Sequence, residues 1–254
     1  MKTVAIIQAR MTSTRLPGKV MAEVAGQPIL GHVVHRAQQA RTLDLVIVAT
    51  SNQSTDNIVS QYSGKLGIPC FRGSEQDVLS RYYYAAKEFD ANAIVRLTSD
   101  CPLLDPVVID KVVQEFLVRE YDYVSNTLEP TYPDGLDTEV FRWGTLERAW
   151  KEATLKSERE HVTPYIWKNP RLFRLRNVRN GENLSQLRWT VDKREDLEFV
   201  RQVYNYLGSM TSFGMTELLA LLSEHPDLKR INAGFERNEG YEKSLSEDSW
   251  AWSK

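Results

Sequence analysis

Three cations lie in one short loop after the first apolar run of the chain. Residues 6–19 read IIQARMTSTRLPGK, so that Arg10, Arg15 and Lys19 surround three consecutive hydroxyl residues. Such a loop combines backbone N–H groups, hydroxyls and cations, which is the set of donors that a polyphosphate requires. It is not a Walker A loop, because only one glycine precedes the lysine and a valine follows it. The loop predicts phosphate binding of another type, and the alternative is a solvated basic turn.

Two aspartates follow apolar runs elsewhere in the chain and precede predicted helices. Asp100 lies in the sequence RLTSDCP, and Asp192 lies in WTVDKREDL. Either carboxylate fits a helix or turn cap. Beside a polyphosphate site, however, Mg²⁺ is commonly held by one or two carboxylates together with phosphate oxygens. The pair is therefore a candidate magnesium site, with capping as the alternative.

Further candidate residues occur in the segments YPDGLDTEVF, at 132–141, and SEREHVTPY, at 157–165. Asp137 and Glu139 fall on one face of a predicted strand, since side chains alternate with a period of two, and Asp134 occupies the preceding turn. A solvated edge strand explains this pattern as well as an acceptor-binding site does. Arg159 and His161 could contact an anionic acceptor, although a partly buried structural histidine is an equal alternative.

The composition is that of an ordinary globular chain. Of 254 residues, 42% are hydrophobic and 26% are charged, and the net charge is −2. Nothing global attracts nucleic acid or an anionic membrane, so anion binding has to come from a local cluster. The two cysteines are too few for a disulfide framework. Without a signal peptide or the ~18 apolar residues of a membrane helix, we expect a cytoplasmic protein.

Short apolar runs alternate with helical patterns over the first 120 residues. Strands are predicted at Thr3–Ala9, Leu43–Thr50, Ile68–Phe71, Ala93–Thr98 and Tyr121–Ser125. Helices are predicted at Pro28–Ala40, Ser54–Lys65, Glu75–Phe89 and Asp105–Arg119. This rhythm predicts an α/β fold with a mainly parallel, Rossmann-like sheet and helices on both faces. Loops 8–19, 50–53, 72–77 and 98–102 should share the rim at which such sheets bind ligands.

The rhythm changes after Asn126. Strands are predicted at Leu136–Phe141, Leu172–Val178 and Leu187–Val191, and helices at Trp143–Ala153, Ser157–Lys168, Lys193–Leu207 and Met215–Ser223. The tail from Ile231 has no periodicity and is predicted to be extended on the surface. We expect one domain over 1–254, with a nucleotide-binding half of about 1–126, an acceptor and metal half of about 127–230, and the tail 231–254.

Taken together, these motifs resemble the CMP-sugar synthetase, or cytidylyltransferase, family. Its opening pattern A-R-x-x-S-x-R-L-P-x-K is matched at 9–19, its acidic turn by Asp100, and its late V-D-x-x-x-D-L segment at 191–197. Within the family the chain most resembles the spore-coat polysaccharide SpsF-like branch, through segments 133–141, 159–166 and 237–245 (RNEGYEKSL). The CMP-Kdo synthetases carry Q-G-D-E-P at the acidic turn. This chain has TSDCP there, so it shares the aspartate and lacks the glutamine.

The resemblance implies a fold of the nucleotide-diphospho-sugar transferase (GT-A-like) type. It also implies that an acceptor oxygen attacks the α-phosphorus of CTP and that pyrophosphate leaves. Implied catalytic residues are Arg10, Lys19 and Asp100, and implied Mg²⁺ ligands are Asp100 and Asp192. Implied nucleotide-binding residues are Ala9, Arg10, Ser13, Arg15, Lys19, Arg72, Asp77 and Thr98. Implied acceptor-binding residues are Asp134, Asp137, Glu139, Arg159 and His161.

The implied acceptor is an acidic sugar or a phosphorylated small molecule used in surface polysaccharide biosynthesis, and a homodimer is expected by family analogy. Two other functions are compatible with a nucleotide-binding sheet. A nucleotide-sugar-dependent glycosyltransferase should carry a D-x-D metal motif, and Ser-Asp-Cys at 99–101 is not one. A non-catalytic nucleotide-binding protein would bind CTP without turnover, but the three opening cations and both aspartates favour an enzyme.

Overall fold

The computed structural model describes residues 1–208 and 213–248, and its centre is a seven-stranded sheet. The strands are β1 (Thr3–Gln8), β2 (Glu23–Val24), β3 (Gln27–Pro28), β4 (Leu45–Ser51), β5 (Cys70–Gly73), β6 (Ala93–Thr98), β7 (Tyr123–Ser125), β8 (Glu139–Arg142) and β9 (Leu175–Asn177). The sheet has the order β5-β4-β1-β6-β8-β7-β9, while β2 and β3 form a separate pair. Strand β8 pairs antiparallel with β6 and β7, and the other pairings in the sheet are parallel.

Helices connect the strands and cover the sheet. In the described residues they are α1 (Ile29–Ala37), α2 (Asn57–Lys65), α3 (Val78–Glu88), α4 (Pro106–Val118), α5 (Trp143–Glu152), α6 (Lys156–His161), α7 (Pro164–Trp167), α8 (Arg194–Leu207), α9 (Met215–Glu224) and α10 (Glu239–Ser246). None of these helices has the length and apolar character needed to cross a membrane.

The central strand β1 is buried on both of its faces. Val4 and Ile6 join one hydrophobic core with residues of α3 and α5, whereas Ala5 and Ile7 join the other with residues of α1, α4 and α8. All four side chains have no exposed surface. Because successive strand residues point to opposite faces, an uninterrupted apolar run fits a sheet covered on both sides. The predicted α/β fold, with a mainly parallel sheet and helices on both faces, is confirmed.

The carboxyl ends of the central strands meet at one edge of the sheet. Gln8, the last residue of β1, lies opposite Ala49 of β4 and Thr98 of β6. The loops after these strands therefore begin side by side, as the sequence pattern predicts. The loop after β6 ends at Asp105, whose carboxylate accepts a hydrogen bond of 2.7 Å from the backbone N–H of Val107 and so caps α4.

The strand predicted at Leu187–Val191 is not formed. The segment has one isolated bridge, between Asp134 and Arg188, and otherwise binds to two loops. The N–H of Trp189 donates to the carbonyl of Asp134 at 2.6 Å, and the N–H of Val191 donates to the carbonyl of Asp100 at 2.8 Å. The run is apolar because it is buried between these loops, and it delivers Asp192 to the neighbourhood of Asp100.

The C-terminal tail, which was predicted to be extended from Ile231, contains helix α10. Residues 249–254 of that prediction lie outside the described residues. The eight-residue helix has little apolar periodicity because its contacts are largely polar; its buried residue is Ser244. A helix this short depends on tertiary contacts, so its sequence alone indicates it weakly.

Two helix predictions differ from the structure in detail. The helix predicted at Ser157–Lys168 is divided into α6 and α7 at Val162, which has a φ of 73°. The reason is Pro164, which cannot donate a helical hydrogen bond and instead begins α7. Ser54 does not cap α2, because it begins a 3-10 turn, Ser54–Asp56, that precedes the helix.

Gly135 allows the loop before β8 to pack directly against the backbone of segment 187–191. Its φ is +116°, and a Cβ atom at this position would lie 2.6 Å from the carbonyl carbon of Trp189 and 2.7 Å from the nitrogen of Thr190. Both clashes are with backbone atoms, which cannot rotate away as a side chain can. The contact fixes the segment that carries Asp192.

We expect Gly135→Ala to lower the free energy of unfolding by at least about 2 kcal/mol, through the clash and the unfavourable φ. The matched control is Gly144→Ala in α5, where the new methyl group has no atom within 4 Å apart from its chain neighbours and the backbone of the helix itself. That change should be neutral or should stabilise by up to about 1 kcal/mol, because alanine favours helices. Urea unfolding of both variants measures the difference, and equal midpoints would contradict the packing argument.

Candidate active site

The ammonium of Lys19 links two carboxylates that are far apart in the sequence. Its Nζ donates hydrogen bonds of 2.7 Å to Asp100 Oδ2, 2.7 Å to Asp192 Oδ1 and 2.8 Å to the carbonyl of Val191. Gly18, with a φ of 72°, ends the opening loop and begins the 3-10 turn that carries Lys19 into this position. The structure thus brings together the lysine and both aspartates that the sequence motifs identified.

The three charges depend on one another. Burial alone would lower the pKa of Lys19, but Asp100 and Asp192 outweigh burial and raise that pKa above its ordinary value. Burial alone would also raise the pKa of Asp100, but the ammonium outweighs it and holds that pKa well below the ordinary range. The lysine is therefore charged and Asp100 is ionised throughout the neutral pH range.

Two arginines complete the surroundings of Asp192. Arg15 donates to Oδ1 at 2.6 Å, and Arg188 donates to Oδ2 at 3.2 Å. The guanidinium of Arg188 also binds the fully buried Asp196, whose carboxylate accepts the backbone N–H of Lys193 at 2.9 Å at the start of α8. The carboxylate of Asp192 is thereby fixed from three sides, in an orientation set by α8 and the opening loop.

A cavity of about 560 Å³ lies over the carboxyl ends of β1 and β6. Six predicted nucleotide-binding residues line it: Ala9, Arg10, Ser13, Arg15, Lys19 and Thr98. Asp100 lines it as well. The guanidinium of Arg10 lies 3.4 Å from Glu160 and its side chain is 37% exposed, so it is accessible from the cavity. We call this space the first cavity.

A second cavity of about 530 Å³ adjoins the first. Asp100, Thr98 and Gln8 line both spaces, so the cavities meet above the ends of β1 and β6. The second cavity is also lined by Asp192 and by the predicted acceptor residues Asp134, Asp137, Glu139 and His161. A ligand in each cavity would bring the two molecules together beside Asp100.

Each of the three carboxylates on the segment before and within β8 has an arginine partner. Arg188 Nη1 lies 3.0 Å from Asp134 Oδ2. Asp137 binds Arg237 and Glu139 binds Arg96, the residue opposite it in the antiparallel pairing of β6 and β8. The register of the β6–β8 pairing is what places this strand carboxylate beside a strand arginine.

Three predicted site residues do not line either cavity. Arg72 donates to the carbonyls of Ser51, at 3.0 Å, and Gln53, at 2.7 Å, and so holds the loop after β4. Asp77 caps α3, accepting the N–H of Ser80 at 2.9 Å, and also accepts the buried Arg159 Nε at 3.0 Å. These contacts give the three residues structural roles at the rim.

His161 lines both cavities but does not provide a positive charge at neutral pH. Burial and the nearby Arg96 lower the pKa of His161 to about 4. Its Nε2 lies 3.0 Å from Ser244 Oγ, which links the imidazole to α10. His161 is therefore a neutral, hydrogen-bonded residue in the wall of both cavities.

Several cavity residues were absent from the sequence predictions. Gln8 lines both cavities, and Arg81, only 1% exposed, lines the first and donates to the carbonyl of Ser74 at 3.1 Å. Trp167 lines the second cavity. For Arg188 a signal did exist, since an arginine inside the apolar run LRWTV indicates a buried charge that requires carboxylate partners.

Protonation of the Asp134 carboxyl group is coupled to folding, and this coupling can be measured. Burial and the neighbouring Asp137 raise its pKa from 3.8 to about 7, despite Arg237 and Arg188. Between these two pH values the folded chain binds a proton here that the unfolded chain does not. Asp134 therefore makes the free energy of unfolding fall as the pH rises through this window.

We expect Asp134→Asn to remove that contribution. The free energy of unfolding, measured with urea, should decrease less from pH 5 to pH 8 in the variant than in the wild type. Asp227→Asn, at an exposed position, serves as control and should keep the wild-type difference. An unchanged difference in Asp134→Asn would refute the raised pKa.

Comparison with known proteins identifies relatives across nearly the whole chain. The chain is 37% identical over 235 residues to an uncharacterised protein of Methanocaldococcus jannaschii, covering 92% of this chain and 95% of that one. It is 35% identical over 231 residues to the spore coat polysaccharide biosynthesis protein SpsF of Bacillus subtilis, covering 87% and 94%. A solved structure of a cytidylyltransferase from Leptospira borgpetersenii has a TM-score of 0.87 at 33% identity, covering 93% of this chain and 100% of that chain.

The sequence resemblance and the fold are consistent with these relatives. A family model described as Cytidylyltransferase matches residues 4–228, a range that contains Lys19, Asp100 and Asp192. The chain belongs to the cytidylyltransferase family.

Proposed function

We propose that this cytidylyltransferase transfers CMP from CTP to an oxygen of an acidic sugar, or of another anionic small molecule, and releases pyrophosphate. The observation that carries the proposal is the ammonium of Lys19, which holds Asp100 between the two cavities and Asp192 in the second. The first cavity has the donors that a triphosphate requires, and the second has the volume of a small-molecule site. The α-phosphorus and the attacking oxygen would meet beside Asp100.

The triphosphate would bind by exchanging ion-pair partners with the opening loop. Arg10 contacts Glu160 at 3.4 Å, and Arg15 contacts Glu239 at 3.8 Å, in side chains that are 27–37% exposed. Phosphate oxygens can replace these glutamates, since exposed ion pairs are weak. The cations then offset the charge that develops on the departing pyrophosphate, so that catalysis rests on positioning and electrostatic stabilisation.

We propose Mg²⁺ as the cofactor, held by Asp100 and Asp192. Their carboxylate oxygens both lie 2.7 Å from one ammonium, so the two groups are close together, and a hard cation that also takes phosphate oxygens would bind beside Lys19 through the lone pairs that remain. Bound there, Mg²⁺ would supply neutralisation of phosphate charge. Lys19 keeps Asp100 ionised, and Lys19, Arg15 and Arg188 together orient the carboxylate of Asp192. In the described residues no cluster of three or more metal-ligating side chains occurs, so the nucleotide phosphates complete the proposed ligand set.

The acceptor would lie in the second cavity, where its oxygen can approach the α-phosphorus. Arg15 and Arg96 are the arginines that line this space, and either offers a partner for the anionic group of the acceptor. The similarity to SpsF, whose name refers to spore coat polysaccharide biosynthesis, supports an acidic sugar used in a surface polysaccharide. In this proposal residues 1–126 supply most of the nucleotide site, and residues 127–230 supply acceptor residues and Asp192.

We further propose that the enzyme works in the cytoplasm as a homodimer. Cys70 and Cys101 are both free, which fits a reducing compartment. The dimer rests on family analogy, and light scattering of the purified chain in solution would show a mass twice that of the 29.2 kDa chain.

A screen for pyrophosphate release tests the proposed function. Each of the four nucleoside triphosphates is combined with Mg²⁺ and with a panel of sugar acids and phosphorylated acids. Release that requires both CTP and a sugar acid supports the proposal. Robust release with UTP but none with CTP overturns the base assignment, and CTP binding without release for any acceptor overturns the catalytic assignment.

We expect Lys19→Ala, Asp100→Asn and Asp192→Asn each to lower turnover at least ~10²-fold, the scale of removing one preorganised electrostatic group. The lysine change leaves two neighbouring carboxylates without their shared partner, and each aspartate change removes a proposed metal ligand. Lys229→Ala, at an exposed position, is the control and should keep wild-type turnover. A variant of the three with near-wild-type pyrophosphate release would not belong to the catalytic machinery.

A further inference from the structure

The segment 237–247, which we call the C-terminal cover, lies after the part of the chain that matches the family model. It contains α10 and the whole of the motif RNEGYEKSL. Glu239 and Gly240 line both cavities, whereas Lys243 lines the first and Tyr241 the second. Both cavities are therefore completed by residues outside the range that the family model matches, and the cover is placed where it can contact a ligand in either one.

The cover is held in position by polar contacts from both halves of the site. Arg237 binds Asp137, and Lys193 Nζ lies 2.7 Å from Glu239 Oε1. Ser244 Oγ donates to Glu160 Oε2 at 2.9 Å. Because Asp137, the partner of Arg237, lines the second cavity, this ion pair fixes the cover beside that cavity.

The second cavity has a wall with two aromatic rings. Trp167 and Tyr241 line it, and their ring centroids are 5.7 Å apart in an edge-to-face arrangement. His161, which also lines the cavity, meets Tyr241 edge to face at 5.2 Å. Tyr241, from the cover, thus supports the orientation of Trp167. An aromatic wall of this kind offers an apolar surface to the C–H groups of a ring-shaped ligand.

Other walls of the same cavity offer hydrogen-bond acceptors. Asp134, Asp137 and Glu139 line it, and each has an arginine partner. A carboxyl group that binds an arginine retains lone pairs for further donors, and it keeps acceptor capacity whether it is ionised or protonated. Such a surface favours ligands with several hydroxyl donors, whereas a compact polyanion would meet three carboxylates at close range.

We propose that the C-terminal cover and Trp167 select the acceptor, binding a polyhydroxylated sugar ring between the aromatic rings and the carboxylates of the second cavity. This inference rests on the proposed function. It assigns acceptor specificity to Trp167 and Tyr241. The sugar packs its C–H groups on the rings and donates its hydroxyls to Asp134 and Asp137, while a single anionic group of the sugar faces Arg15 or Arg96.

Steady-state kinetics with two acceptors tests the inference. The probes are 3-deoxy-manno-octulosonate, a polyhydroxylated sugar acid, and 3-phosphoglycerate, a compact phosphorylated acid, each titrated at saturating CTP and Mg²⁺. We expect the sugar acid to be the better substrate. Trp167→Ala and Tyr241→Ala should each lower kcat/KM for it about tenfold or more, the scale of losing a packed ring, with KM for CTP changed less than about twofold.

Matched variants separate recognition from folding. Trp167→Phe keeps a ring and should recover most of the activity that Trp167→Ala loses. Tyr206→Ala removes an exposed ring outside both cavities and should leave both KM values unchanged. Equal rises in KM for CTP and for the sugar acid in Trp167→Ala would overturn the inference, as would a preference for 3-phosphoglycerate in the wild type.

Direct binding distinguishes this inference from the proposed function. Calorimetry with 3-deoxy-manno-octulosonate, in the presence of a non-hydrolysable CTP analogue, measures the acceptor site without turnover. Binding of the sugar acid to the wild type that is lost in Trp167→Ala supports the acceptor site. If no acceptor then releases pyrophosphate, the proposed function is contradicted and the acceptor site is not. Release of pyrophosphate with 3-phosphoglycerate, together with no binding of the sugar acid, would contradict the inference about the acceptor. Nucleotidyl transfer itself would still be supported.

Discussion

The arrangement of the site depends on one buried ammonium and its need for negative partners. Lys19 is 8% exposed and reaches into the structure from the loop after β1, where it meets a carboxylate from the loop after β6 and another from the segment before α8. Removing one partner of a buried ion pair commonly costs about 3–5 kcal/mol, because the remaining charge is left uncompensated. The requirement therefore joins three distant parts of the chain, and it fixes the two aspartates within reach of one cation.

The same physical solution recurs along β8. A strand that runs antiparallel to its neighbours places Glu139 opposite Arg96, and the turn before it places Asp134 beside Arg188. Charges inside the second cavity are thus balanced pair by pair rather than by a distant excess. Family membership indicates the reaction, whereas in our proposal the aromatic wall and the carboxyl groups of these pairs distinguish one acceptor from another.

The sequence predicted the elements that are set by local patterns, and it missed those that depend on contacts between distant segments. Strand β6 was predicted at its observed bounds, Ala93–Thr98, because a buried parallel strand is recorded locally as a β-branched apolar run. The apolar run at Leu187–Val191 has the same local signal, yet its hydrogen-bond partners are loops, which no local pattern reveals. Helix α10 is likewise stabilised by distant polar contacts.

Site residues show the same division. The loop motif and the two aspartates could be found because each is recognisable from a few neighbouring residues. The structure brings Lys19, Asp100 and Asp192 together. Arg72 and Arg159 have suitable charges but bind carbonyls and a helix cap, and charge alone does not show where a guanidinium will find its partners. Trp167 was missed since a tryptophan is more often a core residue than a ligand platform.

The ion pairs of the opening loop have a consequence for selectivity among cellular anions. Arg10 already contacts Glu160, and Arg15 contacts Asp192 and Glu239, so the loop carries its own counter-ions. Open basic surfaces bind polyanions by releasing mobile salt ions, which makes them sensitive to ionic strength and tolerant of any polyanion. Here an incoming anion has to displace carboxylate side chains of the protein itself, rather than mobile ions. Inorganic phosphate or chloride would gain little from that exchange, whereas the proposed triphosphate would engage several cations at once. The ion pairs would then disfavour small anions without any need for the loop to close.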